Sequence, residues 1–600
     1  MSDTLALASR LQSESDAALI TLLTGRHLSK RDLRDFFDLA DALLTPESVQ
    51  DALSRLDRPT LAAIAAGTTP RSSASPELLR AFAAMLLIDI DGVLKPYDAV
   101  AAVLESWPGS SLPSPAELGS VEAPRAAAPP STHTRSNTDQ LSAERAFETT
   151  VAVTEVVNAL HLSPARELAK GGLAVPDAKR LAAVTGFEPD QMNAVLRVAA
   201  TAGLAVRDGS SWFASAGSRA WLLTPMAERW GALAGSWLAE LPESIVAVLR
   251  TRIDAVWGES LAAYLRWLYP AGGAALDAQI AELGDDSERL GIAIDGVASS
   301  AGTALLCESV QAAVALIAPL LPPEVETVYL QHDLTVVAAG PLRPDIDSTL
   351  RAMAQLENHS IASSYRISGG SIARALGAGY TAAGIRSFLG SISSTGIPQP
   401  LDYLISESSA RYGLLRVGTL DDAPAAGTYV RSDDGELLHT IAVDQNLGSL
   451  GLVFTENNRL TSHFSLDTVY WMLVDARYPV IAEGSHGDPV TLARIPVVVP
   501  TALPSNRLVD ELINRLRGSG VSPGVDTAEA WLVRQLDVAV KAKTPVLVTV
   551  RLPNGDEVSF PVVPTSVASG RMRGTDQKAG VERTLPLASI TQVQTVSPVS

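Results

Sequence analysis

Seven arginines, Arg366, Arg374, Arg386, Arg416, Arg571, Arg573 and Arg583, are the residues of this sequence best suited to chemistry at a surface. A guanidinium presents a fixed fork of N–H donors that fits phosphate or carboxylate through parallel hydrogen bonds, and it stays charged at physiological pH. Four lie between positions 366 and 416, and three cluster with Lys578 near the end of the chain. They predict local, salt-sensitive contact with anions. Ser368-Gly369-Gly370-Ser371 reads as a turn with a helix cap, whose backbone amides could also receive a phosphate.

Bond-making chemistry finds less support. Histidines 27, 133, 161, 332, 359, 439, 463 and 486 are scattered without the spacing of a zinc site, so no metal is expected. His332-Asp333 resembles the dipeptide of metal phosphohydrolases but lacks helical histidine partners, and reads as a strand-end pair. Asp89-Ile90-Asp91-Gly92 lacks the downstream ligands of a calcium loop and reads as a turn. There is no Gly-x-Ser-x-Gly elbow, and no Gly-Lys pair of the kind that ends a nucleotide-binding loop. Neither an ATPase nor a hydrolase is expected, and no cofactor.

Composition sets the frame. At 600 residues the chain exceeds one core, and four to six domains are expected. With 46% hydrophobic and 19% charged residues it is globular. A net charge of −19 disfavours nucleic-acid binding over the whole surface, while leaving room for a basic patch. The single cysteine, Cys307, allows no intramolecular disulfide; it reads as a small buried hydrophobe in a reducing compartment. Met1-Ser2-Asp3-Thr4 lacks the start of a signal peptide and every apolar run is broken by charge or proline, so a cytoplasmic location without membrane contact is expected.

The elements that position the first arginine group lie between Glu326 and Val417. An alternating strand places Val328, Leu330, Leu334 and Val336 on one face; a Gly340–Pro344 turn leads to a helix carrying Ile346, Leu350, Met353 and Leu356. Tyr365-Arg366-Ile367 is extended. Helices follow with Ile372, Ala375 and Leu376, then Ile385, Phe388, Leu389 and Ile392 capped by Thr381, then Leu401, Leu404, Ile405 and Tyr412. This order, through "LTVVAAGPL", "YRIS", "GYTAAGI", "IPQPLDYLI" and "YGLLRVG", resembles the N-terminal, damage-recognition-like domain of XPB-type DNA repair helicases. It especially resembles the stand-alone helicase-associated proteins of actinobacteria that carry this domain without a motor. The resemblance covers about a sixth of the chain strongly.

The remaining segments complete a multidomain α+β reading. Residues 1–107 form a helical, winged-helix-like domain with a hairpin at Asp91-Gly92, and 108–143 a flexible Pro/Ser/Ala linker. Residues 144–222 form a winged helix turned at Asp208-Gly209; its third helix exposes Asp190, Gln191, Asn193 and one basic residue, Arg197, favouring a structural or protein-binding role. Residues 223–323 are helical, with Trp230, Trp237, Trp257 and Trp267 as core. Residues 324–420 are the XPB-N-like domain, 421–505 its α/β remainder with a strand at Ile495–Val499, and 506–600 a helix followed by a small barrel turned at Asn554-Gly555. This last part resembles a degenerate WYL-type, Sm- or SH3-like module, since Val546 to Val550 stand where the family's signature falls.

Together the resemblances imply a non-catalytic scaffold of DNA repair or transcription that contacts DNA locally and docks a separate XPB-type helicase. The competing expectation is a WYL-type regulator that senses a ligand or nucleic acid.

Overall fold

The computed structural model describes residues 3–595 except 27, 29–32, 130–134, 359–361, 421–426, 456–458, 477, 485–486, 488, 491, 493–503, 519–524 and 553–556. The chain is a multidomain α+β protein with several small sheets. It divides into two compact units, one of residues 128–256 and 284–500, the other of residues 1–127, 257–283 and 501–600. The segment 223–323 is therefore shared between them.

In the first unit a 28-residue helix, α1 (Arg135–Leu162), buries Ala146, Val153, Val157 and Leu160. Helix α2 (Val175–Thr185) has a proline in its first turn and ends at Gly186 in the left-handed conformation, φ 71°. Helix α3 (Met192–Thr201) follows, then strands β1 (Ala205–Asp208) and β2 (Ser211–Ala214), paired across Gly209. Trp230 is fully buried and its Nε1 donates to the Leu290 carbonyl at 2.8 Å. Cys307 ends the helix Ser300–Cys307 exposed, contrary to the expectation of a core thiol, because Ala304, Leu305 and Leu306 take the inward positions. Among the described residues no single helix is long and apolar enough to cross a membrane; Met226–Glu240 and Glu243–Thr251 would suffice together but meet at 109°.

The central segment departs from the sequence reading at two points. Val328 to Val336 is not one strand but a hairpin of β3 (Val328–Leu330) and β4 (Thr335–Ala338). Its turn holds His332 and Asp333; the Asp333 carboxylate accepts from the Thr335 amide at 3.0 Å, and Leu334 takes φ 71°. Helix α4 (Pro344–Met353) stops before Leu356, which lies in β5 (Gln355–Asn358) opposite Tyr365 of β6 (Ser363–Arg366). Strand pairing overrides the helical spacing there. The four strands are all antiparallel, in order β5-β6-β4-β3. Helices α5 (Gly369–Gly377), capped by a reciprocal Ser368–Ser371 box, α6 (Ala382–Ile392), capped by Thr381, and α7 (Gln399–Arg411) close the core around Leu350, Tyr365, Ile372, Leu389 and Ile405.

A six-stranded sheet follows. Its strands are β7 (Leu415–Leu420), β8 (Gly427–Ser432), β9 (Val453–Thr455), β10 (Arg459–Ser462), β11 (Val480–Glu483) and β12 (Pro489–Val490), in order β9-β10-β8-β7-β11-β12, parallel only between β7 and β11. Helices α8 (Gly435–Val443) and α9 (Leu466–Asp475) contribute Leu438, Ile441, Val469 and Leu473 to a core with Leu415, Val417, Val430 and Leu460. The expected strand at Ile495–Val499 lies outside the described residues.

In the second unit the Asp91-Gly92 hairpin joins strands Leu87–Ile90 and Val93–Pro96, with both turn residues at positive φ. The expected linker from 108 to 143 is interrupted by a helix, Pro115–Ser120, which Ser114 and Glu117 cap reciprocally and Leu118 anchors; α1 also begins at Arg135. Helices Pro504–Gly518 and Val525–Ala542 share one core with the N-terminal helices, and Arg517 lies 5.5 Å from the Phe36 ring and donates to Asp16 at 3.1 Å. The terminal strands β13 (Val546–Arg551), β14 (Glu557–Ala568), β15 (Arg571–Asp576), β16 (Glu582–Pro586) and β17 (Ile590–Thr595) form an antiparallel sheet, order β16-β15-β14-β13-β17. Among the described residues it is open at β16 and β17, and the expected barrel does not close there. The Asn554-Gly555 turn lies outside the described residues.

Candidate nucleic-acid interface

The seven arginines do not converge on one surface. Arg366, on β6, donates to Glu357 at 2.8 and 3.3 Å and to the Asp333 carbonyl at 2.9 Å. Arg386, on α6, is held by Asp402 at 2.5 Å and Ser406 at 2.6 Å of α7. Arg374, on α5, has no carboxylate partner among the described residues and lines a cavity. Arg571 and Arg573 alternate outward on β15 and have no carboxylate partner among the described residues. Arg583 is paired in register with Gly574 and so projects from the other face, where it binds Asp576 at 2.6 Å and lies 4.2 Å from the Phe560 ring.

Arg416 is different, because strand register gives it company that sequence spacing conceals. It stands opposite Arg431 on β8, and Arg431 stands opposite Arg459 on β10. Successive strands lie about 4.8 Å apart, so three guanidinium-bearing positions form a row of about 10 Å across the sheet. Neighbours on each strand, Leu415, Val417, Val430 and Leu460, are buried against α8 and α9. Alternation therefore sends the arginines to the face opposite those helices.

One carboxylate organises this face. Glu483 of β11 is 1% exposed and accepts from Arg431 Nε and Nη2 at 2.6 and 2.7 Å, from the Tyr429 hydroxyl at 2.7 Å and from Arg416 Nη1 at 3.4 Å. The Arg431 bonds, helped by Tyr429, pull its carboxyl down to about 2. Burial, followed by the bond to Glu483, raises the Tyr429 phenol. The Tyr429 ring lies across Gly418, where an added Cβ would come within 2.5 Å of its hydroxyl oxygen. The Arg459 guanidinium sits 4.8 Å from the ring centroid and has no carboxylate partner among the described residues. Two guanidinium groups thus share a single counter-charge and a third has none among the described residues, beside a pinned aromatic ring, a combination suited to phosphate and base contacts.

Arg431, Arg459, Tyr429 and Glu483 were not singled out by the sequence reading; the available signal was an arginine beside buried apolar residues in each of three strands. Among the described residues no three His, Cys, Asp or Glu side chains lie close enough together to hold a metal ion. No curated protein matches the chain. Over residues 328–456, which include Arg416, Tyr429 and Arg431 but end before Arg459 and Glu483, the chain is similar to the helicase conserved C-terminal domain, which points to a helicase-related, nucleic-acid-associated role.

Proposed function

We propose that this protein is a non-catalytic accessory of DNA repair or transcription whose six-stranded sheet contacts a nucleic-acid strand while other surfaces dock a separate XPB-type helicase. The single observation that supports it is the in-register row Arg416–Arg431–Arg459, in which Glu483 is the counter-charge of Arg416 and Arg431 only. A strand laid along this row would place phosphates on the guanidinium groups and a base against the Arg459–Tyr429 stack. With an overall charge of −19, such contact would be confined to this patch and sensitive to salt. The non-catalytic part of the reading rests on the missing Gly-Lys pair, without which a phosphate-binding loop of the motor type has no lysine. The winged-helix-like arrangement of α1 to α3 with β1 and β2 is the surface we assign to protein docking: Arg197 of its third helix is engaged with Asp286 at 2.7 Å, which takes it away from a DNA groove.

The test is a titration of fluorescently labelled single-stranded, duplex and forked DNA at low salt, alongside pull-down of a purified XPB-type helicase. Binding that weakens with salt supports the contact. Failure to bind any of the three forms removes it and leaves docking to stand on the pull-down alone.

The competing proposal is a WYL-type regulator, favoured by Arg571 and Arg573 on one exposed strand face. A dimer that footprints one promoter, and loses the footprint on Arg573→Ala, would establish it instead.

A further inference from the structure

A cavity of about 540 Å³ lies between the C-terminal half of α1, the end of α2, and β5 with α5 of the central segment. Its size falls in the range of small-molecule sites. Most of the charged side chains that line it are already paired. Glu155 and Arg351 bind each other at 2.6 and 2.9 Å, and Glu357 is held by Arg366. His161 has its pKa lowered by burial and by Arg219, so it adds no charge at neutral pH. That leaves Arg374, an exposed residue at the cavity wall that has no carboxylate partner among the described residues; partial desolvation lowers its pKa. A guanidinium at a cavity wall without a counter-ion favours an anionic occupant.

The rest of the wall defines the body of that occupant. Ala159, Val184, Ala354 and Leu356 supply apolar surface, and Asn158 is a half-buried amide with no protein hydrogen-bond partner among the described residues. We infer that this cavity binds a small organic anion, a carboxylate or phosphate monoester on an apolar body, with its acidic group on Arg374 and a polar atom within reach of Asn158. The site shares no residue with the arginine row of the sheet, so it stands or falls separately from the nucleic-acid reading.

The experiment uses the full chain and the fluorescent probe 8-anilinonaphthalene-1-sulfonate, an acidic group on an aromatic body. Competitors are octanoate, octyl phosphate and neutral 1-octanol, and thermal unfolding checks that each variant folds. The expected result is one-to-one binding that either anion displaces and the alcohol does not; whichever anion competes better separates carboxylate from phosphate ester. Arg374→Ala is expected to weaken the probe by about tenfold or more, the loss of one charge-assisted hydrogen-bonding partner. Arg374→Lys, which keeps the charge, is expected to retain most of the affinity. The inference is overturned if no one-to-one complex forms, if folded Arg374→Ala binds the probe as the parent does, or if 1-octanol competes as well as the anions.

Discussion

Arg431 grips Glu483 through both ends of its guanidinium fork, Nε to Oε1 at 2.6 Å and Nη2 to Oε2 at 2.7 Å, although 52 residues separate them in sequence. The carboxylate is buried and ionised, and it holds Arg431, Arg416 and Tyr429 on one face of the sheet. It is also the group that an incoming phosphate would have to compete with.

Replacing that group separates the two roles. Glu483→Gln is expected to destabilise the protein by about 1–3 kcal/mol, since charge-assisted bonds to a buried group are lost. It should nevertheless tighten nucleic-acid binding at low salt, because the row then carries no counter-charge. Denaturant unfolding and anisotropy titration on the same preparation check both. Lower stability with unchanged or weaker binding would make the cluster purely structural.

The same carboxylate predicts an acid response. Its carboxyl titrates near 2 when folded, against an ordinary value of 4.5. A depressed pKa contributes stability that is present above the ordinary value and is lost as pH falls from about 4.5 toward 2. Stability measured across that window should fall less steeply in Glu483→Gln than in the parent.

Gly418 is the seat of the Tyr429 ring. Gly418→Ala would put a methyl group within 2.5–2.9 Å of the outer ring atoms and push the hydroxyl off Glu483. The expected cost is about 1 kcal/mol from the lost hydrogen bond, with weaker strand binding because the Arg459 stack shifts as well. Thermal melts and anisotropy read the two effects, and Tyr429→Phe, which loses only the hydroxyl, should keep most of the binding.

A second buried pair ties α1 to α4. Arg351 binds Glu155 on one side and Asp347 at 2.9 Å on the other, while the Tyr365 hydroxyl donates to Asp347 at 2.7 Å. Glu155→Ala should cost about 1–3 kcal/mol, since the charge-assisted bonds to Arg351 are lost while Asp347 still neutralises the guanidinium. Arg351→Met should cost more, since it leaves Glu155 and Asp347 both without their cation, and a double-mutant cycle by urea unfolding should return a favourable coupling for the 155/351 pair.

What sequence made legible was local chemistry. The Ser368 and Thr381 caps, the Asp91-Gly92 turn and the apolar stripe of α6 all depend on neighbours within a few positions, and all appear as read. Where long-range pairing competes with local spacing, reading fails: Leu356 leaves its helix to face Tyr365, and the described terminal strands stop short of a barrel. The arginines show the same division. Their type pointed to anion contact, but only strand register unites Arg416 with Arg431 and Arg459, and local carboxylates such as Glu357 and Asp402 occupy Arg366 and Arg386.

The most direct test of the sheet as a nucleic-acid surface is the salt dependence of single-stranded DNA affinity in Arg459→Ala against Arg571→Ala. Arg459 has no carboxylate partner among the described residues and projects beside Tyr429, so its loss should leave the fold intact. The account predicts binding weakened by about 1–2 kcal/mol and a logarithmic salt slope reduced by about one for Arg459→Ala, with Arg571→Ala close to the parent. A folded Arg459→Ala protein that binds with parental affinity and slope would contradict it.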